Sequence, residues 1–226
     1  MARARMDGPE LGNPELPDAG LLSRAMRRDL VDLNLGYLEL GLAQAEVDDP
    51  LVAWAAPVRR EIAAADPAVR ARMAECPFSL FRISLPGRAE PYPDGPRVED
   101  AAVRLPSDGR TARCLEFSSA ALFAAWRLAD SAPLAARIVF GLMPAEELQL
   151  NELCPSQVRA LAATAGVVRA RWPDRPSFWA ALRSAAEVGT PAALQWVHCL
   201  GICLIEGGPT ESLGGDSAPL PGRRRR

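Results

Sequence analysis

The chain has 226 residues, enough for one large domain or two small ones. Apolar residues make up 49% and charged residues 24%, an ordinary globular balance that excludes global disorder. A formal net charge of -2 excludes a uniformly basic nucleic-acid binder, although every basic residue is Arg.

Residues 1–20 are polar and rich in Pro and Gly, which predicts a flexible lead-in without a secretory signal. From Ser23 onward Met26, Leu30, Leu33, Tyr37 and Leu40 recur at spacings of three and four. Val31, Leu35, Leu38 and Leu42 form an adjacent stripe. Together they predict one helix over Ser23–Val47, with an apolar face wide enough to be buried on more than one side. Leu33, Leu35, Tyr37, Leu38 and Leu42 are therefore the candidate interface residues, between lobes or between subunits.

Asp49-Pro50 reads as a helix start, and Pro57 is expected to interrupt the run and leave two short helices. Asp66-Pro67 repeats the start signal, and that helix should stop before Cys76-Pro77. Phe78–Leu85 is short, rich in β-formers and bounded by prolines, which predicts a strand. Pro86–Arg113 is dense in Pro, Gly, Asp and Arg and reads as a linker between two lobes, 21–85 and 114–206.

In the second lobe Ser118 or Ser119 is expected to cap a helix carrying Ala121, Leu122, Ala125, Trp126 and Ala129. A helix from Pro133 to Phe140 should end at Gly141. Pro144-Ala-Glu-Glu147 opens another, and Pro155 opens one through Ala163 with Gly166 as its stop. Val167–Trp172 is a second strand, cut off by Pro173. Ser177 should cap Phe178–Val188, and Thr190-Pro191 should start a last helix ending at Gly207-Gly208. Its apolar run, Pro191–Ile205, is too short for a membrane span. Residues 207–226 read as a disordered tail ending in Arg.

The two lobes repeat the same order of long helix, short helices, Pro-started helix and strand. The segment from Asp66 to Ile83 lines up with that from Cys154 to Trp172. The expected fold is mainly α, with two similar helical lobes, one short strand in each, packed as a pseudo-dimer.

The segment Asp32-Leu-Asn-Leu-Gly-Tyr37-Leu38 resembles the opening helix of the FlhD flagellar transcriptional regulators, which carry a similar Asn-Leu-x-Tyr-Leu segment. The second lobe resembles the rest of that family. Arg137-Ile-Val-Phe-Gly-Leu142, Glu146-Glu147-Leu148, Leu153–Ala162 and Val167–Arg171 match its helix, helix and basic-strand order. The resemblance implies two tandem FlhD-like units that are helical, dimeric and active in transcription beside a zinc-binding partner. The chain departs from the family in its double length, in Pro86–Arg113 and in its last two helices.

Catalytic and metal chemistry find little footing. The single histidine, His198, lies in an apolar helical run, and its neighbour Cys199 points away from it on a helix. The cysteines Cys76, Cys114, Cys154, Cys199 and Cys203 read as free, buried thiols of a reducing, cytoplasmic compartment. Asp48-Asp49, Glu99-Asp100 and Glu146-Glu147 sit at turns and helix starts, where carboxylates cap or face solvent. The aromatics fit a core. Arg169, Arg171 and Arg175, around the second strand, are the candidate phosphate contacts. Arg24, Arg27, Arg28 and the terminal Arg223–Arg226 are secondary candidates.

The expected function is thus an FlhD-like transcriptional regulator or adaptor, not an enzyme. It would work through helical interfaces with itself or a protein partner, with DNA contact weak or partner-dependent. It would need no cofactor, metal, small-molecule substrate or membrane. The alternative is a cytosolic accessory protein of a secretion or motility apparatus that binds protein only.

Overall fold

The structure is a computed structural model that describes residues 22–43, 50–85, 109–164 and 166–206, with side chains over 112–205 in the second half. The expected lead-in, linker and tail fall mainly outside these residues, as do Asp48-Asp49 and Glu99-Asp100.

The fold is mainly α. Helix α1 spans Arg24–Ala43, α2 Ala56–Ala64 and α3 Pro67–Met73, and strand β1 comes next over Phe81–Ile83. The second half runs α4 Gly109–Ser131, α5 Pro133–Phe140, α6 Pro144–Asn151 and α7 Pro155–Ala162. Strand β2 at Val168–Ala170, α8 at Pro176–Val188 and α9 at Pro191–Glu206 complete it.

Proline at the first turn explains most helix starts, because its missing N–H is one that a helix leaves unpaired there anyway. Asp66 caps α3 by accepting from the Val69 N–H at 2.8 Å. Glu146 reaches back to the Met143 N–H at 2.7 Å, and Gln157 does the same for Cys154 at 2.9 Å. Gly141 ends α5 at φ 70° and Gly189 ends α8 at φ 67°, a region costly for other residues.

Three local expectations change. The helix expected to open at Asp49-Pro50 is absent over residues 50–55, which are turn and coil, so Pro57 interrupts nothing and sits in the first turn of α2, where it is tolerated. Helix α4 starts at Gly109, inside the expected linker and well before Ser118. Ser119 is a helix-interior residue whose hydroxyl donates to the Leu115 carbonyl at 2.8 Å, the bond that lets serine sit mid-helix. Ser177 likewise lies inside the first turn of α8, behind Pro176.

Strand β1 pairs antiparallel with β2, in the register Phe81↔Ala170, Arg82↔Arg169 and Ile83↔Val168. Both strands bury their outer residues and expose the central arginine. Each is shorter than expected, with pairing confined to three residues although Leu80, Leu85, Val167 and Trp172 to either side are also buried.

One hydrophobic core runs through residues 22–85 and 114–197. Helix α1 packs on α4, and α8 packs on both α2 and α3. Main-chain bonds cross between the halves from Ala55 N to Pro173 O (2.8 Å), Ser79 N to Val139 O (3.0 Å) and Ser84 N to Val167 O (2.8 Å). On the rim Arg183 of α8 pairs with Glu61 of α2 at 3.0 Å. The two halves thus share one core rather than each closing its own.

Candidate interaction surfaces and arginine sites

The expected interface stripe of α1 is largely spent inside the chain. Tyr37 and Leu38 are fully buried. The Tyr37 hydroxyl accepts from Trp54 Nε1 at 2.7 Å, and the two rings meet edge to face at 5.3 Å. Phe81 and Phe117 stand 5.6 and 5.9 Å from the same ring, so Tyr37 joins α1 to α4 and β1. Burial pushes its phenol pKa well above the ordinary value and keeps it protonated. Leu33 and Leu42 are half-buried and packed on the core, and Leu35 is half-buried at the edge of the stripe. Of the two settings expected for the stripe, between lobes or between subunits, Tyr37 takes the first and joins the two halves, and Leu38 is buried beside it within the chain.

Asn34 sits in the middle of that stripe, fully buried. Its Nδ2 donates to the carbonyls of Ala74 (3.1 Å) and Phe78 (3.0 Å), and its Oδ1 accepts from the Leu80 N–H (2.8 Å). One amide satisfies three backbone groups of the irregular stretch between α3 and β1. The apolar periodicity passed over it. The signal was a polar residue at a core position of an amphipathic helix.

The three candidate phosphate contacts separate. Arg171 turns inward. Its Nη1 donates to the carbonyls of Ser79 (3.0 Å) and Val139 (2.8 Å), and its Nη2 to that of Ile138 (3.2 Å). It thereby caps the C-terminal end of α5, where orphan carbonyls carry the negative end of the helix dipole. Gly141 leaves the space, since a Cβ there would press on the guanidinium. The cation also lies 5.3 Å from the Trp172 ring and 5.9 Å from Phe78. Burial, and secondly the charge of Arg82, push its pKa down to about 9, which still leaves it a cation at neutral pH. Arg171 is corrected from a phosphate contact to a structural brace.

Arg169 stays exposed on the outer face of the sheet, its Nε turned to the Gly166 carbonyl. Arg82 is its direct cross-strand partner and is also exposed, a pairing that only the strand register reveals. Like charges placed directly opposite each other are unfavourable within a sheet. Arg175 is half-buried at the start of α8 and not on that strand face. Arg24, Arg27 and Arg28 are exposed at the start of α1.

The thiols also separate. Cys76 and Cys114 are buried, whereas Cys154, Cys199 and Cys203 are exposed, against the expectation of buried thiols throughout. The difference at α9 arises because its inner side is already filled by Val197 and Gly201. Burial raises the Cys76 pKa well above the ordinary thiol value. The Ser156 hydroxyl, 3.0 Å from the Cys154 sulfur, lowers that thiol's pKa. His198 lies edge-on to Phe78 at 6.3 Å, and its Nε2 is buried without a hydrogen-bond partner. Burial lowers its pKa.

Glu146 and Glu147 have structural partners. Glu146 accepts from the Leu85 N–H at 3.0 Å as well as from Met143, and Glu147 accepts from Asn151 Nδ2 at 3.1 Å. Among the described residues no group of three or more His, Cys, Asp and Glu could hold a metal ion. No helix among them is long and apolar enough to cross a membrane.

Five large apolar side chains are exposed as well. Leu134, Met143, Leu148, Val188 and Trp196 are each about three-fifths exposed, with Trp196 at 63%. Comparison with known proteins adds no family to this picture, for no family model, curated protein or solved structure matches the chain.

Proposed function

We propose that the chain is an FlhD-like transcriptional regulator or adaptor, located in the cytoplasm, that acts through a helical protein-binding surface and touches DNA only weakly. The observation that carries this reading is the bare apolar side of α9, with Trp196 63% exposed at its head. The exposed Arg82–Arg169 pair supplies the DNA contact. The two halves are read as diverged copies of one unit. In support, each carries a Pro-started helix and then a three-residue strand with the same buried–exposed–buried pattern.

The test is fluorescence anisotropy of the full chain on a mixed-sequence duplex at about 50 and about 200 mM salt. Weak, salt-sensitive binding is expected, and it should survive deletion of residues 223–226. Replacing both Arg82 and Arg169 by Glu should weaken it at least tenfold and reduce the salt slope by about two phosphate contacts. The same α9 surface suits the second reading, a protein-only accessory of a secretion or motility apparatus. Absence of salt-sensitive DNA retention, alone and with a co-purified partner, would decide for that reading.

A further inference from the structure

Two of the three exposed thiols, Cys199 and Cys203, stand on the same helix. Their spacing of four sets them on one face of α9, a turn apart, with Cβ atoms about 5–6 Å from each other. A disulfide needs about 3.5–4.5 Å between its Cβ atoms, so the two cannot join without unwinding the helix. The spacing does suit an ion held in line between two sulfurs, since two metal–sulfur bonds of about 2.3 Å span about 4.6 Å. Trp196 lies three residues before Cys199 and is exposed on the same side. An indole face attracts a cation within about 6 Å. The helix offers nothing to a hard ion. No carboxylate stands between Pro191 and Ile205, and the Nε2 of His198 is buried next to Phe78.

We propose that Cys199 and Cys203 form a two-coordinate thiolate site for a soft monovalent cation, Cu(I), with the Trp196 indole beside it. Ligand type and ligand number select the ion. Thiolates prefer soft ions such as Cu(I), whereas magnesium and calcium take oxygen ligands. Zinc also takes thiolates, but a structural zinc site closes with four ligands. Among the described residues no group of three or more His, Cys, Asp and Glu could hold a metal ion. A pair of sulfurs is therefore complete for Cu(I) and only half of a zinc site. On binding, both thiols release their protons to solvent, two copper–sulfur bonds form, and copper stays in the +1 state. The bound unit carries one net negative charge, and its formation is favoured by rising pH. Val197 and Gly201 hold the inner side of α9 against α8 and Phe78, so both sulfurs are carried on a packed element. The inference stands apart from the regulator reading. A chain without DNA affinity would overturn the regulator and leave this site standing.

The probe is Cu(I) itself, added without oxygen to the fully reduced full chain in competition with a chromophoric Cu(I) chelator. One ion per chain is expected, with no change in sedimentation coefficient. Cys199→Ser and Cys203→Ser should each weaken binding at least about a hundredfold, while Cys154→Ser leaves it unchanged. Circular dichroism should match the parent chain in all three, because these side chains are exposed. Moving the second thiol by one position, as Cys203→Ser with Leu204→Cys, should not restore binding, since positions five apart do not share a helix face. Bound Cu(I) should quench tryptophan fluorescence, and Trp196→Phe should remove most of that quenching. X-ray absorption at the copper edge should show two sulfur neighbours. One ion per two chains with a doubled mass, parent-like binding by either serine variant, rescue by Leu204→Cys, a third protein ligand on copper, or equally tight binding of Zn(II) would each overturn the proposal.

Discussion

Helices α1 and α9 each carry an apolar stripe, and the two stripes meet opposite fates. In α1 the stripe is consumed by the chain itself, with Tyr37 and Leu38 fully buried and the Tyr37 ring set against β1 and α4. In α9 only Val197 and Gly201 are buried, and Trp196, Cys199 and Cys203 face outward. Helical spacing says that a face will be covered. It does not say whether the cover comes from the same chain or from another. The polar residues distinguish the two cases. Helix α1 holds a buried Asn with three backbone partners, a feature worth having only inside a fixed environment. Helix α9 keeps no comparable anchor, and its one buried polar atom without a partner is His198 Nε2.

The sharpest way to break the contrast is to place a charge on each stripe. Leu38→Asp buries a carboxylate with no partner and should cost about 4 kcal/mol or more, enough to unfold a domain of ordinary stability. Trp196→Glu should change stability by less than about 0.5 kcal/mol. Urea denaturation monitored by circular dichroism reads both, and equal losses would erase the distinction. A smaller effect is expected at Asn34. Asn34→Ala orphans the Leu80 N–H and the carbonyls of Ala74 and Phe78, for a loss of about 2–4 kcal/mol in the same titration.

The smallest effect belongs to His198. Its folded pKa lies below the ordinary 6.5, so the unfolded chain takes up a proton more readily. Its contribution to stability is complete above about pH 6.5 and is lost as the pH falls through that value toward the folded pKa. The urea midpoint, measured between pH 8 and pH 5, should therefore decline less in His198→Gln than in the parent chain. An identical decline would mean that the imidazole titrates alike in both states.

Much of the fold was legible in the sequence because its punctuation is strong. Pro67, Pro133, Pro144, Pro155 and Pro191 each open a helix, and Gly141 and Gly189 each close one. Both strands were placed, because β-formers stood between breakers. Their mutual pairing was not legible, since nothing local specifies a partner so far along the chain. For the same reason the sequence singles out neither Arg82 nor the inward turn of Arg171, which it offers as a phosphate contact. A guanidinium beside aromatic residues reads the same in a sequence whether it meets phosphate or carbonyls. Ser119 misled because serine caps helices far more often than it back-bonds within them. At α9 the apolar run was legible, but which side of it met α8 depended on where Phe78 settles over Gly201.

The little sheet also bears on how the protein is made. Strand β1 has β2 as its paired neighbour, and β2 leaves the ribosome roughly 90 residues later, on the order of 5–20 s at ordinary rates of synthesis. During that interval Phe81 and Ile83 have an open edge and no finished core, a state that invites association with other nascent chains. Strand completion therefore comes late in biogenesis, and yield on rapid overexpression should depend more on chaperone supply than the modest length of this chain would suggest.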